Sequence, residues 1–206
     1  MAERPLVFIG DSITDAGRRE DPEHLGHGWV RMVAAELAQQ GDDRPVVNTG
    51  ISGNRVSDLR ARWKVDALDH DPEVLTVYVG INDTWRRYDS DDPTSAEDFE
   101  EDYRHILQRA HDTVAPALIL VEPFVAPVTA EQRRWGAEDL DAKRAVVRRL
   151  AEEFGAGFVP LAQIMADAAA QYGEKALAED GVHPSELGAT LIAGGWLAAE
   201  AQVSGE

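Results

Sequence analysis

Short apolar runs alternate with longer amphipathic stretches along the chain. Leu6–Ile9 is an uninterrupted apolar run closed by Gly10, the pattern of a strand buried on both faces. Val46–Asn48 predicts a second strand. Val74–Val79 (Val-Leu-Thr-Val-Tyr-Val) predicts a third, introduced by the turn pair Asp71-Pro72. Leu118–Val121, ended by Pro123, and Phe158–Val159 predict a fourth and a fifth. Between these runs the apolar residues recur at helical spacing. Gly28–Gln40 puts Trp29, Met32, Val33 and Leu37 on one face, and Val56–Leu68 follows with Ser57 as the expected cap. Ser95–Val114 opens with a Ser-x-x-Asp cap. Leu140–Phe154 stops at Gly155, and Ile164–Tyr172 and Leu187–Ala201 complete the helices.

Strands separated by helices of this length imply βαβ units and a parallel sheet. The expected fold is α/β: a three-layer α/β/α sandwich with a five-stranded parallel sheet, flavodoxin-like, forming one domain over residues 1–206. Trp63 and Trp196 fall at helical positions and read as core. Tyr88–Ser95 and Pro123–Asp139 read as connections. Either could overhang a site at the carboxyl ends of the strands, where such sheets place their ligands.

Composition narrows the function. A chain of 206 residues that is 44% hydrophobic and 28% charged fits a soluble globular domain. There is no cysteine, which excludes disulfides, iron–sulfur clusters and cysteine–zinc sites. Thirty-eight acidic residues against 20 basic give a net charge of −18, so nucleic acid and anionic membranes are not expected partners. The first apolar run is too short for a signal peptide, and no stretch approaches the ~20 apolar residues of a membrane span. The expected location is the cytoplasm.

Four blocks stand out, the first three at the ends of predicted strands and the fourth near the C-terminus. They are Gly10-Asp11-Ser12-Ile13, Gly50-Ile51-Ser52-Gly53-Asn54, Gly80-Ile81-Asn82-Asp83 and Asp180-Gly181-Val182-His183-Pro184. Singly, each is ordinary turn chemistry. Together they contain the parts of an acyl-transfer site: a nucleophile, a base, a carboxylate to orient the base, and donors for the oxyanion. Ser12 is the expected nucleophile and His183 the general base, with Asp180 one tight turn before it. The backbone N–H groups of Ser12 and Gly53 and the side-chain amide of Asn82 are the expected oxyanion donors. Ser52 is a rival nucleophile, though its glycine-flanked turn suits backbone donation better.

These blocks, in this order, resemble the SGNH hydrolases, also called GDSL esterases and lipases. The resemblance runs from residue 10 to residue 184 and implies the same sandwich and the same roles for Ser12, Gly53, Asn82, Asp180 and His183. The flanks are similar to intracellular acetylxylan esterases: Thr14-Asp15 with Gly17-Arg18, Asp58-Leu59 with Ala61-Arg62-Trp63, and Trp85-Arg86 with Tyr88-Asp89. That similarity implies acetyl esters of xylo-oligosaccharides as substrates.

Four further residues are candidate substrate contacts: Asp11, Arg55, Trp85 and Arg86. Asp11 also reads as a local hydrogen-bonding group, as does Asp15, and Trp85 and Arg86 could equally be packing and ion pairing. Asp89, Asp91 and Asp92 lack the EF-hand spacing and read as a solvated loop, and no metal or cofactor is expected. A broader short-chain carboxylesterase, thioesterase or lysophospholipase is the alternative activity. Homo-oligomerisation is left open.

Overall fold

The computed structural model describes residues 3–203. Five short strands, all parallel, form one sheet in the order β2-β1-β3-β4-β5. They are β1 (Leu6–Gly10), β2 (Val46–Asn48), β3 (Val74–Tyr78), β4 (Ala117–Val121) and β5 (Gly157–Val159). The register runs Val46, Leu6, Val74 and Ala117 across the sheet, with Ile119 opposite Gly157. Each strand lies within one residue of its expected bounds. The reason is physical: helices cover both faces, so the strands are near-continuous apolar runs.

The helices are α1 (Ser12–Asp15), α2 (Trp29–Gln39), α3 (Val56–Asp66), α4 (Ile81–Asp89), α5 (Ala96–Thr113), α6 (Gln132–Trp135), α7 (Asp141–Phe154), α8 (Leu161–Tyr172), α9 (Glu174–Leu177) and α10 (Glu186–Val203). Alternate strand residues feed two cores. Leu6, Phe8, Tyr78, Ile119 and Val121 pack with Trp29 of α2 and Trp196 of α10. Val7, Ile9, Leu75 and Val77 pack with Trp63 of α3, Tyr103 of α5 and Val147 of α7. Trp63 and Trp196 are therefore core residues, 1% and 0% exposed. The indole N–H of Trp196 donates to Thr76 Oγ1 at 2.8 Å, which gives the buried threonine of β3 a partner.

Four expectations change. The cap of α3 is Arg55, not Ser57: the Asp58 carboxylate reaches back to accept the Arg55 N–H at 2.8 Å, and Ser57 is an exposed helical residue. This helix stops at Asp66, and Leu68–His70 continues as a separate 3-10 turn. Tyr88 and Asp89 belong to α4, a helix the apolar spacing did not announce, so the loop there is shorter. The 123–139 connection is built into the fold. It holds α6 and leads into a π turn at Gly136–Leu140, with Trp135 and Gln132 only 1% and 6% exposed. Among the described residues no helix is long and apolar enough to cross a membrane.

Candidate active site

Ser12 begins α1 directly after β1, at the carboxyl edge of the sheet. The turn into this short helix is fixed by Asp11, whose carboxylate caps the Ile13 N–H at 3.0 Å. Asp11 has no solvent exposure, and its second oxygen lacks a protein partner. It cannot touch a substrate, so the local bonding role is the one it fills. Burial pushes its carboxyl up to about 7, against the pull of the Ile13 N–H and the His183 charge.

His183 is brought to Ser12 from the far end of the sequence. Its Nε2 lies 3.0 Å from Ser12 Oγ, and its Nδ1 lies 2.6 Å from Asp180 Oδ2. With Nδ1–H donating to the carboxylate, Nε2 is left as the acceptor for the serine proton. Asp180 Oδ1 accepts the backbone N–H of Val182 at 2.9 Å and of His183 at 2.8 Å. Burial would raise the Asp180 carboxyl, but the hydrogen bonds from His183 and these two N–H groups outweigh it and hold the carboxyl below its usual range.

The turn itself is anchored. Gln132 Nε2 donates to the Asp180 carbonyl at 2.7 Å, and Ala126 N–H donates to the Gly181 carbonyl at 2.8 Å. Gly181 sits at φ +87°, where a Cβ would lie 2.6 Å from Gln132 Oε1 and 2.8 Å from the Ala126 carbonyl. Only glycine fits. The sequence reading missed Gln132, because its partner is a backbone carbonyl 48 residues away.

The second and third blocks meet beside Ser12. Gly50 packs so tightly on α1 that a Cβ would stand 2.3 Å from Asp15 N. Asp15 Oδ2 accepts both the N–H and the hydroxyl of Ser52, at 3.1 and 3.0 Å. Ser52 is thus tied to a carboxylate and has no histidine beside it, unlike Ser12. Ser12 is the first residue of its helix, so its N–H has no intrahelical acceptor. Gly53 sits at φ +83° with its N–H unused among the described residues. Asn82 opens α4, and its Nδ2 donates to the Asn54 carbonyl at 3.0 Å, leaving one amide N–H over. Next to it, Asp83 is wholly buried and receives the Val56 N–H on both oxygens, at 3.4 and 3.3 Å. Burial pushes the Asp83 carboxyl up to about 7. Val56 N–H, Lys143 and Arg55 oppose the rise, and Asp11 adds to it.

Trp85 stands in the site. Its ring centroid is 6.1 Å from the His183 imidazole and 5.8 Å from Trp135, which stacks on Tyr88 at 5.3 Å. Arg86 and Arg55 are both engaged elsewhere. Arg86 pairs with Asp89 while lying 5.7 Å from the Trp85 ring, and Arg55 pairs with Asp92 at 2.7 Å. Ser12 and His183 open onto a cavity of about 440 Å³. Ile13, His27, Met32, Glu186 and Ala189 line it, a mixed apolar and polar wall.

A parallel α/β/α sandwich that carries a hydrogen-bonded serine, histidine and aspartate at its carboxyl edge has the equipment of a carboxylic ester hydrolase. The comparisons with known proteins agree. Residues 8–191 match the GDSL-like Lipase/Acylhydrolase family, and the chain belongs to it. The chain is 34% identical over 203 residues to an acetylxylan esterase of Geobacillus stearothermophilus, covering 93% of this chain and 91% of that one. It is 27% identical over 159 residues to esterase TesA of Pseudomonas aeruginosa, covering 75% and 74%. The crystal structure of Axe2, an acetylxylan esterase from Geobacillus stearothermophilus, superposes with a TM-score of 0.85 at 33% identity, over 96% of this chain and 94% of that one. Catalytic mutants of Axe2 with a serine or a histidine replaced by alanine superpose equally well, at TM-scores of 0.85 and 0.86.

Proposed function

We propose that this ester hydrolase removes acetyl groups from neutral carbohydrates, xylo-oligosaccharides foremost, through a covalent acyl-serine. Ser12 Oγ attacks the ester carbonyl as His183 Nε2 takes its proton, and Asp180 holds the imidazole in the tautomer that allows this. The oxyanion is met by the N–H groups of Ser12 and Gly53 and the free N–H of Asn82. His183 then returns the proton to the departing sugar oxygen, which leaves as a hydroxyl, and the same base activates water to release acetate from Ser12. The route consumes only water.

The observation that carries the mechanism is the continuous Ser12–His183–Asp180 chain, 3.0 and 2.6 Å long in its two links. The acetyl-sugar substrate is supported by the acetylxylan esterase similarity over 93% of the chain. A net charge of −18 suits a neutral substrate and disfavours nucleic acid and anionic lipid surfaces. A cytoplasmic enzyme acting on imported oligosaccharides, as a monomer or a symmetric homo-oligomer, fits this reading.

A second reading, a broad short-chain esterase or thioesterase, is favoured by the 440 Å³ cavity, which with Ile13, Met32 and Ala189 in its wall has room for more than acetyl. One comparison separates them. Acetylated xylo-oligosaccharide and xylose tetraacetate are set against p-nitrophenyl acetate and octanoate, with Ser12→Ala as control. Ser12-dependent acetate release from the sugars with little octanoate cleavage is expected. Preferential octanoate cleavage would overturn the sugar assignment.

A further inference from the structure

The oxyanion donors named above come from three separate segments: the end of β1, the loop after β2 and the start of α4. One side chain ties those segments together. Arg62, on α3, spends its guanidinium on four acceptors. Nε donates to Asn54 Oδ1 at 2.8 Å, Nη1 to the Thr49 carbonyl at 2.7 Å and to Asp66 Oδ2 at 2.8 Å, and Nη2 to the Gly10 carbonyl at 3.0 Å. Gly10 lies two residues before Ser12, and Thr49 and Asn54 bracket the loop that carries Gly53. Asn54 is also the residue whose carbonyl accepts Asn82 Nδ2.

We infer that Arg62 is the positioning residue of the oxyanion hole. Its planar fork fixes the Asn54 side chain, Asn54 fixes the Asn82 amide, and the same fork holds the Gly10 and Thr49 carbonyls that set where the Ser12 and Gly53 N–H groups point. A lysine would keep the charge but not the geometry, since a point charge cannot hold the end of β1 and both ends of the loop after β2 at fixed angles. Arg62 itself contacts neither substrate nor reacting atoms. Its effect reaches the transition state, where the oxyanion is fully developed, and leaves ground-state binding nearly untouched.

The inference rests on the Ser12 mechanism proposed above, and p-nitrophenyl acetate tests both without assuming a sugar substrate. Arg62→Ala, Arg62→Lys and Asn54→Ala are compared with wild type and Ser12→Ala, with thermal unfolding recorded for each. Arg62→Ala is expected to lower kcat by roughly 10- to 100-fold, the scale set by misplaced catalytic donors, with KM changed less than about threefold. Arg62→Lys should lose nearly as much, and added guanidinium at non-denaturing concentration should restore part of the Arg62→Ala rate. The Arg62→Ala/Asn54→Ala double variant should be no slower than Arg62→Ala alone, because the two residues act in series. A lowered unfolding temperature with wild-type kcat would overturn the inference, as would a loss carried by KM. If Arg62→Ala does not fold, Arg62→Lys decides: a lower kcat at constant KM supports the inference, and wild-type kcat overturns it. If Ser12→Ala retains wild-type activity, the proposed mechanism fails first.

Discussion

Replacing Asp83 by asparagine should make the fold less sensitive to alkali. The carboxyl is fully buried and pushed from an ordinary 3.8 up to about 7, mainly by burial. The folded state therefore holds this proton more tightly than the unfolded chain does. For such a group stability is greatest below about pH 4 and is lost as pH rises toward 7, after which the loss is complete. At about 1.4 kcal/mol per pH unit between the two values, the full loss is roughly 4 kcal/mol, of which about 2.5 kcal/mol falls between pH 5 and pH 8. Asparagine cannot ionise, yet its carbonyl can still accept the Val56 N–H. The assay is urea unfolding of wild type and Asp83→Asn at pH 5, 6, 7 and 8. A constant offset from lost packing or an unsatisfied amide cancels between pH values. The variant should gain on wild type by about 2–3 kcal/mol between the two ends, or 4–12 °C in Tm for a domain of this size. A difference that stays flat from pH 5 to pH 8 would show that Asp83 does not titrate there, and the burial argument would be wrong.

Four other outcomes follow from the site. Ser12→Ala should lower kcat on p-nitrophenyl acetate by at least roughly 10⁴-fold while leaving the unfolding curve nearly unchanged; turnover within tenfold of wild type would remove the nucleophile assignment. Asp180→Asn should cost about 10³–10⁴-fold through the wrong imidazole tautomer. In wild type, kcat/KM should rise with pH, because the base must be neutral to take the serine proton. Asp180 is held below its usual range and adds no limb near neutrality, whereas the Asp11 carboxyl beside Ser12 is pushed up to about 7 and can add one; a flat profile from pH 5 to pH 8 would contradict a histidine base. Gly181→Ala should destabilise by about 2 kcal/mol or more, since its φ of +87° and the contacts at 2.6 and 2.8 Å are both unfavourable to a Cβ; a calorimetric Tm equal to wild type would refute it.

The sheet was legible because a strand buried on both faces has no polar phase to misread. The helix α4 was not. Its buried residues are Ile81, Asn82, Asp83 and Thr84, three of them polar, so apolar periodicity carries no signal there. Their burial is made tolerable by specific partners: the Asn54 carbonyl, the Val56 N–H and Asp139, which accepts Thr84 Oγ1 at 2.6 Å. The four blocks were legible as chemistry because a serine, a glycine turn and an asparagine at three strand ends, with an Asp-x-x-His turn near the C-terminus, have few joint uses. Arg55 and Arg86 show the opposite limit. A basic residue beside a site looks the same in sequence whether it awaits a substrate or is paired with Asp92 or Asp89.

The supporting contacts also explain why the site has two separable halves. Asp180 and His183 are held from one side, by Gln132, Ala126 and the turn before α10. The proposed oxyanion donors are held from the other, by Asp83 on the Val56 N–H and by Arg62. At the reacting atoms the halves meet in the 3.0 Å contact of Ser12 with His183, and behind it Thr84 of α4 donates to Asp139 of the 123–139 connection at 2.6 Å. A lesion on the first side disturbs proton transfer and must alter how the rate depends on pH. A lesion on the second weakens transition-state charge stabilisation and should scale the rate while leaving the pH profile in place. That division argues that the 123–139 connection serves as scaffold for the base: Gln132 and Trp135 are buried in it, and lifting it would release the Asp180 carbonyl that Gln132 holds.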